Sequence, residues 1–182
     1  SAIPILGNLL EDPLNHLGKP LVVYNTNGGE SKVTSAVFAA FNVAGSGEWS
    51  YESLDYIASE SLLTPKTMRV VLKPADIPYF DRFFAENQKF LAVPFFSESP
   101  GIFLQDASST FEISLDTNGC DLVTIYPLAT VHGVEVVPLG FKGKINGAGA
   151  IVDLEIIGVT LKLRIKGCGT FVLMYRPCDR HG

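Results

Sequence analysis

Histidine, cysteine and clustered basic charge are all in short supply in this 182-residue chain. Nucleophilic catalysis by serine or cysteine needs a base, most often histidine, oriented by a third group. The three histidines are His16, His132 and His181, and no motif surrounds any of them. His16 sits in a turn-rich stretch, His181 is the penultimate residue, and His132 lies in Thr130-Val131-His132-Gly133-Val134, the kind of tip that joins two strands. Exposed loop positions are expected for all three. Cys120, Cys168 and Cys178 are odd in number and lack metal-ligand spacing, which fits a reducing compartment and a cytoplasmic location better than a disulfide framework. The reading leaves one pairing open, Cys168 with Cys178. No metal and no cofactor is expected.

Fourteen basic residues stand against nineteen acidic ones, a net charge of −5, and the basic ones are scattered. That leaves no electrostatic footprint for a phosphate backbone, so nucleic acid is not an expected partner. Gly, Pro, Asp or Lys interrupts every apolar run before the roughly 18 residues that cross a bilayer, so no membrane span and a soluble chain are expected. The stretch Ser1-Ala2-Ile3-Pro4-Ile5-Leu6 lacks the basic start and long apolar core of a signal peptide, and it lacks an initiator Met. The expectation is a processed chain or a piece of a longer one. There is no internal repeat of solenoid length and no low-complexity tract.

What the chain does have is apolar residues, 47% of the total, in short β-branched and aromatic runs punctuated by Gly, Pro, Asn and Asp. This is the pattern of many strands joined by turns. Strands are predicted over residues 21–25, 36–43, 68–73, 89–96, 111–115, 121–126, 134–139, 151–157, 160–166 and 169–175. In the last third, Leu161, Leu163 and Ile165 alternate with Lys162, Arg164 and Lys166, as in a strand with one wet face. Tight turns at 157–160 and 167–169 suggest an antiparallel meander there. Around 78–87, aromatics at 79, 80, 83 and 84 come close to helical spacing, so a short helix packing one end of the core is expected. The predicted fold is an all-β antiparallel sandwich of about ten strands in a single domain over 1–182, with an extended lead-in over 1–20 and a tail at 178–182.

Chemistry is harder to find. Two carboxylates flanking a glycosidic bond suffice for glycoside hydrolysis, but pairs such as Glu11 with Asp12, or Asp153 with Glu155, arise by chance in an acidic chain. The glycine-rich stretches 45–47 and 140–149 do not follow a strand and open a helix, as phosphate-cradling loops do. Trp49, with Tyr51 and Tyr56 near it, is the one aromatic cluster outside evident strands. An indole can stack on a sugar ring, although a lone buried Trp that seals the end of a sandwich is the commoner case. The candidate carbohydrate contacts are therefore Trp49, Tyr51, Glu48 and Asn42, and no catalytic residue is assigned.

Three motifs then occur in order. The first runs from Leu10-Glu11-Asp12-Pro13 through Gly18-Lys19-Pro20-Leu21 and Val23-Tyr24-Asn25 to the segment 37–49, which ends Gly45-Ser46-Gly47-Glu48-Trp49. The second is Asp121-Leu122-Val123-Thr124-Ile125-Tyr126-Pro127-Leu128, leading to 138–151. The third is Ile165-Lys166-Gly167-Cys168-Gly169-Thr170-Phe171, continuing to Tyr175-Arg176-Pro177. Together they resemble the C-terminal region of the raffinose synthase, seed imbibition and alkaline α-galactosidase group of family 36 glycoside hydrolases. The segment 138–151 lines up without gaps on the group's P-I-G-L-x-N-M-x-N-x-G-G-A-I. Departures are the extra Glu48, Gly143-Lys144 in place of Asn-Met, and Tyr126-Pro127 in place of Ser-Pro. The resemblance covers nearly the whole chain. It implies a parent with an N-terminal β-domain and a catalytic (β/α)8 barrel ahead of a C-terminal β-sandwich, the two catalytic aspartates belonging to the barrel. No residue of this chain inherits a catalytic role by that implication.

The expected function is thus an accessory C-terminal sandwich of a raffinose synthase or α-galactosidase-like enzyme, with the parent's barrel as its partner. A free-standing lectin-like module that binds galactosides is the alternative. An apolar docking face would also favour self-association.

Overall fold

The computed structural model describes residues 21–27, 35–42, 48–50, 52, 55–57, 67–77, 80–96, 101–117, 119–145 and 147–178. They form β1 (Leu21–Asn27), β2 (Ser35–Phe41), β3 (Glu48–Ser50), β4 (Asp55–Ile57), β5 (Met68–Leu72), one helical turn α1 (Phe80–Phe83), β6 (Phe90–Pro94) and β7 (Ile102–Leu104). Then follow β8 (Phe111–Leu115), β9 (Cys120–Pro127), β10 (Ala129–Val131), β11 (Val134–Phe141), β12 (Ile151–Ile157), β13 (Thr160–Ile165) and β14 (Phe171–Pro177). Every ladder among them is antiparallel, and no helix among the described residues is long and apolar enough to cross a membrane. The all-β antiparallel expectation stands, as does the short helix within 78–87.

The burial patterns explain the layering. In β5, Met68, Val70 and Leu72 point inward while Arg69 and Val71 face water, and in β8 Phe111, Ile113 and Leu115 do the same. Such period-two alternation marks a sheet with one covered face. In β6 and β9 nearly every residue is buried or half-buried. Those strands lie in the five-stranded sheet β1-β2-β9-β6-β7, which is packed on both sides. On one side Phe38, Phe90, Ala92, Val123 and Ile125 meet the β5–β8 pair and Phe84, beside α1. On the other, Leu91 and Tyr126 meet Val137 of β11, Ala148 and Ile151, backed by Met174 of β14 and the hairpin residues Leu154 and Leu163. The sandwich thus has three layers sharing the central sheet. Each fully enclosed side chain such as Phe38 or Phe90 contributes about 2–3 kcal/mol by leaving water.

The predicted helix near 78–87 does what its aromatics implied. Phe80, Phe84 and Phe90 pack as a triad with ring centroids 5.1, 5.3 and 5.8 Å apart. The C-terminal meander needs correction. β12 and β13 form the expected hairpin, with Ile157 opposite Thr160, but β14 pairs with β11. The 166–170 connection swings across between Gly167 at φ +119° and Gly169 at φ +141°, both close against the Phe141 ring. Only glycine adopts such angles without strain, so this segment is a crossover and not a hairpin turn.

Candidate binding cleft and docking face

The outer layer β10-β11-β14 is tied to the central sheet by charge. Glu135 of β11 and Arg176 of β14 are register partners, and Lys89 enters from the residue before β6. The Glu135 side chain is only 2% exposed; Lys89 Nζ donates to its Oε1 at 2.8 Å and Arg176 Nε donates to its Oε2. The Arg176 guanidinium also lies over the Phe103 ring, 3.7 Å from the centroid, a cation–π contact. Burial on its own would raise the Glu135 carboxyl, but the hydrogen bonds and charges of Lys89 and Arg176 outweigh it and hold the group below its ordinary value. Asp106 is also displaced downward, by hydrogen bonds from the Ser108 hydroxyl and the 108 and 109 backbone. A glycosidic general acid requires a displacement in the opposite direction. The Glu135 cluster is a clamp between layers.

Above the clamp, the ends of β6 and β11 frame a cleft of about 140 Å³. Phe95, Thr124, Tyr126, Phe141, Lys142 and Lys144 are among its walls. The wall from β11 is shaped by its register shift between Pro138 and Gly140, where a proline without an N–H falls at a bulge. Gly140 takes φ +90°, and a Cβ there would lie 1.9 Å from the Gly147 carbonyl oxygen, so no other residue fits. Tyr126 closes the floor, its hydroxyl donating to the Leu139 carbonyl at 3.3 Å, and burial pushes its phenol above the usual value. Next in the chain after Phe95, Phe96 donates its backbone N–H at 3.1 Å to the buried Asp121 carboxylate, which also accepts from the Leu122 N–H at 2.8 Å.

The second feature is apolar surface. In the β12–β13 hairpin, Leu154 and Leu163 face each other across the ladder and pack on the core, and Ile156 opposite Leu161 continues that row outward. Ile156 and Ile157 are exposed, and Val159 at the tip is 70% exposed. Turns ordinarily carry polar residues beside their glycine; this one is Gly158-Val159, with Gly158 at φ +57° as in a type II′ turn. On β14, Leu173 and Tyr175 are exposed as well, Tyr175 by 72%.

The sequence candidates are not brought together as one described site. Asn42 is buried at the end of β2, and its side-chain amide donates to the Leu115 carbonyl at 3.1 Å. Glu48 and Trp49 are on β3, in register with Ile57 and Tyr56 of β4. Tyr51 lies outside the described residues, as do His16, His181, Glu11 and Asp12. His132, at φ +49°, and Gly133, at φ +72°, form the exposed two-residue turn between β10 and β11. Asp153 and Glu155 answer Arg164 and Lys162 across the hairpin, each at 3.9 Å. All three cysteines are free thiols. Among the described residues no group of histidine, cysteine, aspartate and glutamate is arranged to hold a metal. Sequence reasoning missed Phe95, Lys142 and Lys144. The signals were a Phe-Phe pair directly after a proline, and lysines alternating with a glycine just past a strand.

Over residues 1–177 the chain matches the family described as raffinose synthase or seed imbibition protein Sip1. The chain belongs to the raffinose synthase family. Among its relatives, the probable galactinol–sucrose galactosyltransferase 5 of Arabidopsis thaliana is 29% identical over 177 residues, and the galactinol–sucrose galactosyltransferase of Pisum sativum 27% over 186. Those alignments cover 93% and 92% of this chain but 21% of each relative. This raffinose synthase family chain therefore spans about a fifth of the length of the curated relatives it matches.

Proposed function

We propose that this chain is an accessory β-sandwich of a larger galactosyl-transferring enzyme of the family 36 type, whose chemistry resides in a barrel domain outside these residues. The observation that carries the proposal is the disproportion of the match, which takes in over nine-tenths of this chain and about a fifth of each relative. The site geometry supports it. The buried carboxylate of Glu135 is committed to two cations. The exposed row at the tip of the β12–β13 hairpin, Ile156 and Val159, is the surface that meets the barrel, because apolar surface of this kind on a small domain favours a covering partner. In this role the domain buries that row, and the Lys89–Glu135–Arg176 clamp holds the hairpin's supporting layer in place.

The test has two arms. The reading frame around this chain is expected to continue into a region with acidic residues at strand ends; a frame confined to these 182 residues contradicts the proposal. The purified chain is expected to transfer no galactosyl group from galactinol to sucrose, and turnover that follows the chain through purification overturns the assignment.

A further inference from the structure

We infer that the cleft between the ends of β6 and β11 is a binding site for a single neutral sugar ring, with Phe95 as its stacking face and Lys142 and Lys144 as its hydrogen-bond donors. The choice of a saccharide rests on the family membership, not on the accessory role, so either can fail alone.

Three observations converge. The first is that the backbone of the Phe95 wall is fixed. Phe95 N–H donates to the Leu122 carbonyl at 2.8 Å, and the buried Asp121 carboxylate holds the next residue's N–H. Phe95 and Phe96 meet edge to face at 5.0 Å and 90°, yet Phe96 remains 57% exposed. Phe95, the one of the two that lines the cleft, is 39% exposed, so part of its ring faces water there. A partly exposed aromatic face in a cleft wall is what a ligand with an apolar face requires.

The second is the opposite rim. The bulge at Gly140 and the turn at Gly143, which stands at φ +72°, set the backbone that carries the two lysines. Lys142 N–H is tied to the Thr170 carbonyl at 2.9 Å and Lys144 N–H to the Phe141 carbonyl at 3.3 Å. Both side chains are exposed, and neither forms an ion pair with another described residue. Ammonium groups offer three donors each and no acceptor, suited to ring hydroxyls.

The third is size. A cleft of about 140 Å³ is smaller than the several hundred Å³ of drug-sized sites, so it takes one ring of an oligosaccharide and leaves the rest in water. A pyranose joins an apolar C–H face to a rim of hydroxyls, matching a phenyl wall opposed by donors.

The test is titration of the ¹⁵N-labelled 182-residue chain with raffinose, alongside sorbitol, an open polyol without a ring face, and inorganic phosphate. The expected result is saturable shifts at the amides of 95–96 and 141–144 with raffinose, at a dissociation constant of about 1–10 mM, and none with sorbitol. Phe95→Ala is expected to weaken binding about fivefold or more, the scale of one lost aromatic contact. The double variant Lys142→Ala, Lys144→Ala is expected to do the same, and as both side chains are exposed it retains the fold if Phe95→Ala does not. Absence of saturable raffinose shifts, shifts centred on 48–56, or a response to phosphate alone overturns the inference.

Discussion

Removing Arg176 while keeping its volume, Arg176→Met, is the sharpest perturbation of the clamp. Breaking one partner of a buried pair costs about 3–5 kcal/mol when the orphaned charge stays buried. Glu135 is 2% exposed and cannot rehydrate without parting β11 from the central sheet, but Lys89 still donates to it at 2.8 Å. One retained cation places the cost at the lower end, about 3 kcal/mol. For a domain of this size that is about 6–12 °C in the melting temperature. Lys89→Met is expected to cost less, because Arg176 remains and the Lys89 side chain is already 46% exposed. Adding Glu135→Gln to Arg176→Met removes the stranded charge, so the double variant is expected to lose about 1–3 kcal/mol less than the sum of the singles. Urea unfolding followed by circular dichroism reads the parent, the three single variants and the double variant. An Arg176→Met cost under about 0.5 kcal/mol, or strict additivity, refutes the clamp.

The same clamp predicts a pH signature. Glu135 is held below its ordinary value of 4.5, so its contribution is fully present above that pH and is lost as pH falls through the lowered value; the stability gap between the parent chain and Glu135→Gln is expected to close on acidification. Lys89 is raised by Glu135 above 10.5, so its share is present below that pH and lost only as pH rises through the raised value. Gly140→Ala meets the Gly147 carbonyl and is expected to cost about 3 kcal/mol or more, whereas Gly143→Ala, with φ +72° but open space, costs about 1 kcal/mol; comparison of their melting curves decides. Asn42→Ala strands the Leu115 carbonyl and is expected to lose about 1–3 kcal/mol while leaving any raffinose affinity unchanged; a selective affinity loss would return Asn42 to the sugar contacts. The isolated chain is expected to self-associate through its apolar hairpin tip, and Ile156→Asp with Val159→Asp to abolish this in sedimentation velocity.

How much of this was legible beforehand follows from period and length. Strands with one wet face, such as 111–115 and 160–166, announced themselves by alternation. The run 121–126 was equally visible as a strand, but continuous burial does not reveal which sheet covers which face, so the third layer was hidden. The strands at 48–50, 55–57, 102–104 and 129–131 are three residues long, too short for a pattern to repeat. The partner of β14 was misjudged because glycines flanking Cys168 look like a turn; whether such a chain folds back or crosses over is decided by the Phe141 ring they pack against. The family was readable from ordered motifs, since these encode turns and bulges such as that at Gly140. The cleft was not, because its walls come from residues some fifty positions apart, Val93 and Lys144 among them. Glu135, one acidic residue between valines, gave no sign that Lys89 and Arg176 would converge on it.

The central claim is that the exposed row on the β12–β13 hairpin is covered by the remainder of a larger enzyme. Amide hydrogen exchange over residues 151–165, compared between this chain alone and the polypeptide extended to the full length of its relatives, tests it directly. Slower exchange in the extended protein, concentrated at 156–161, is the predicted result; identical exchange in the two contradicts the claim.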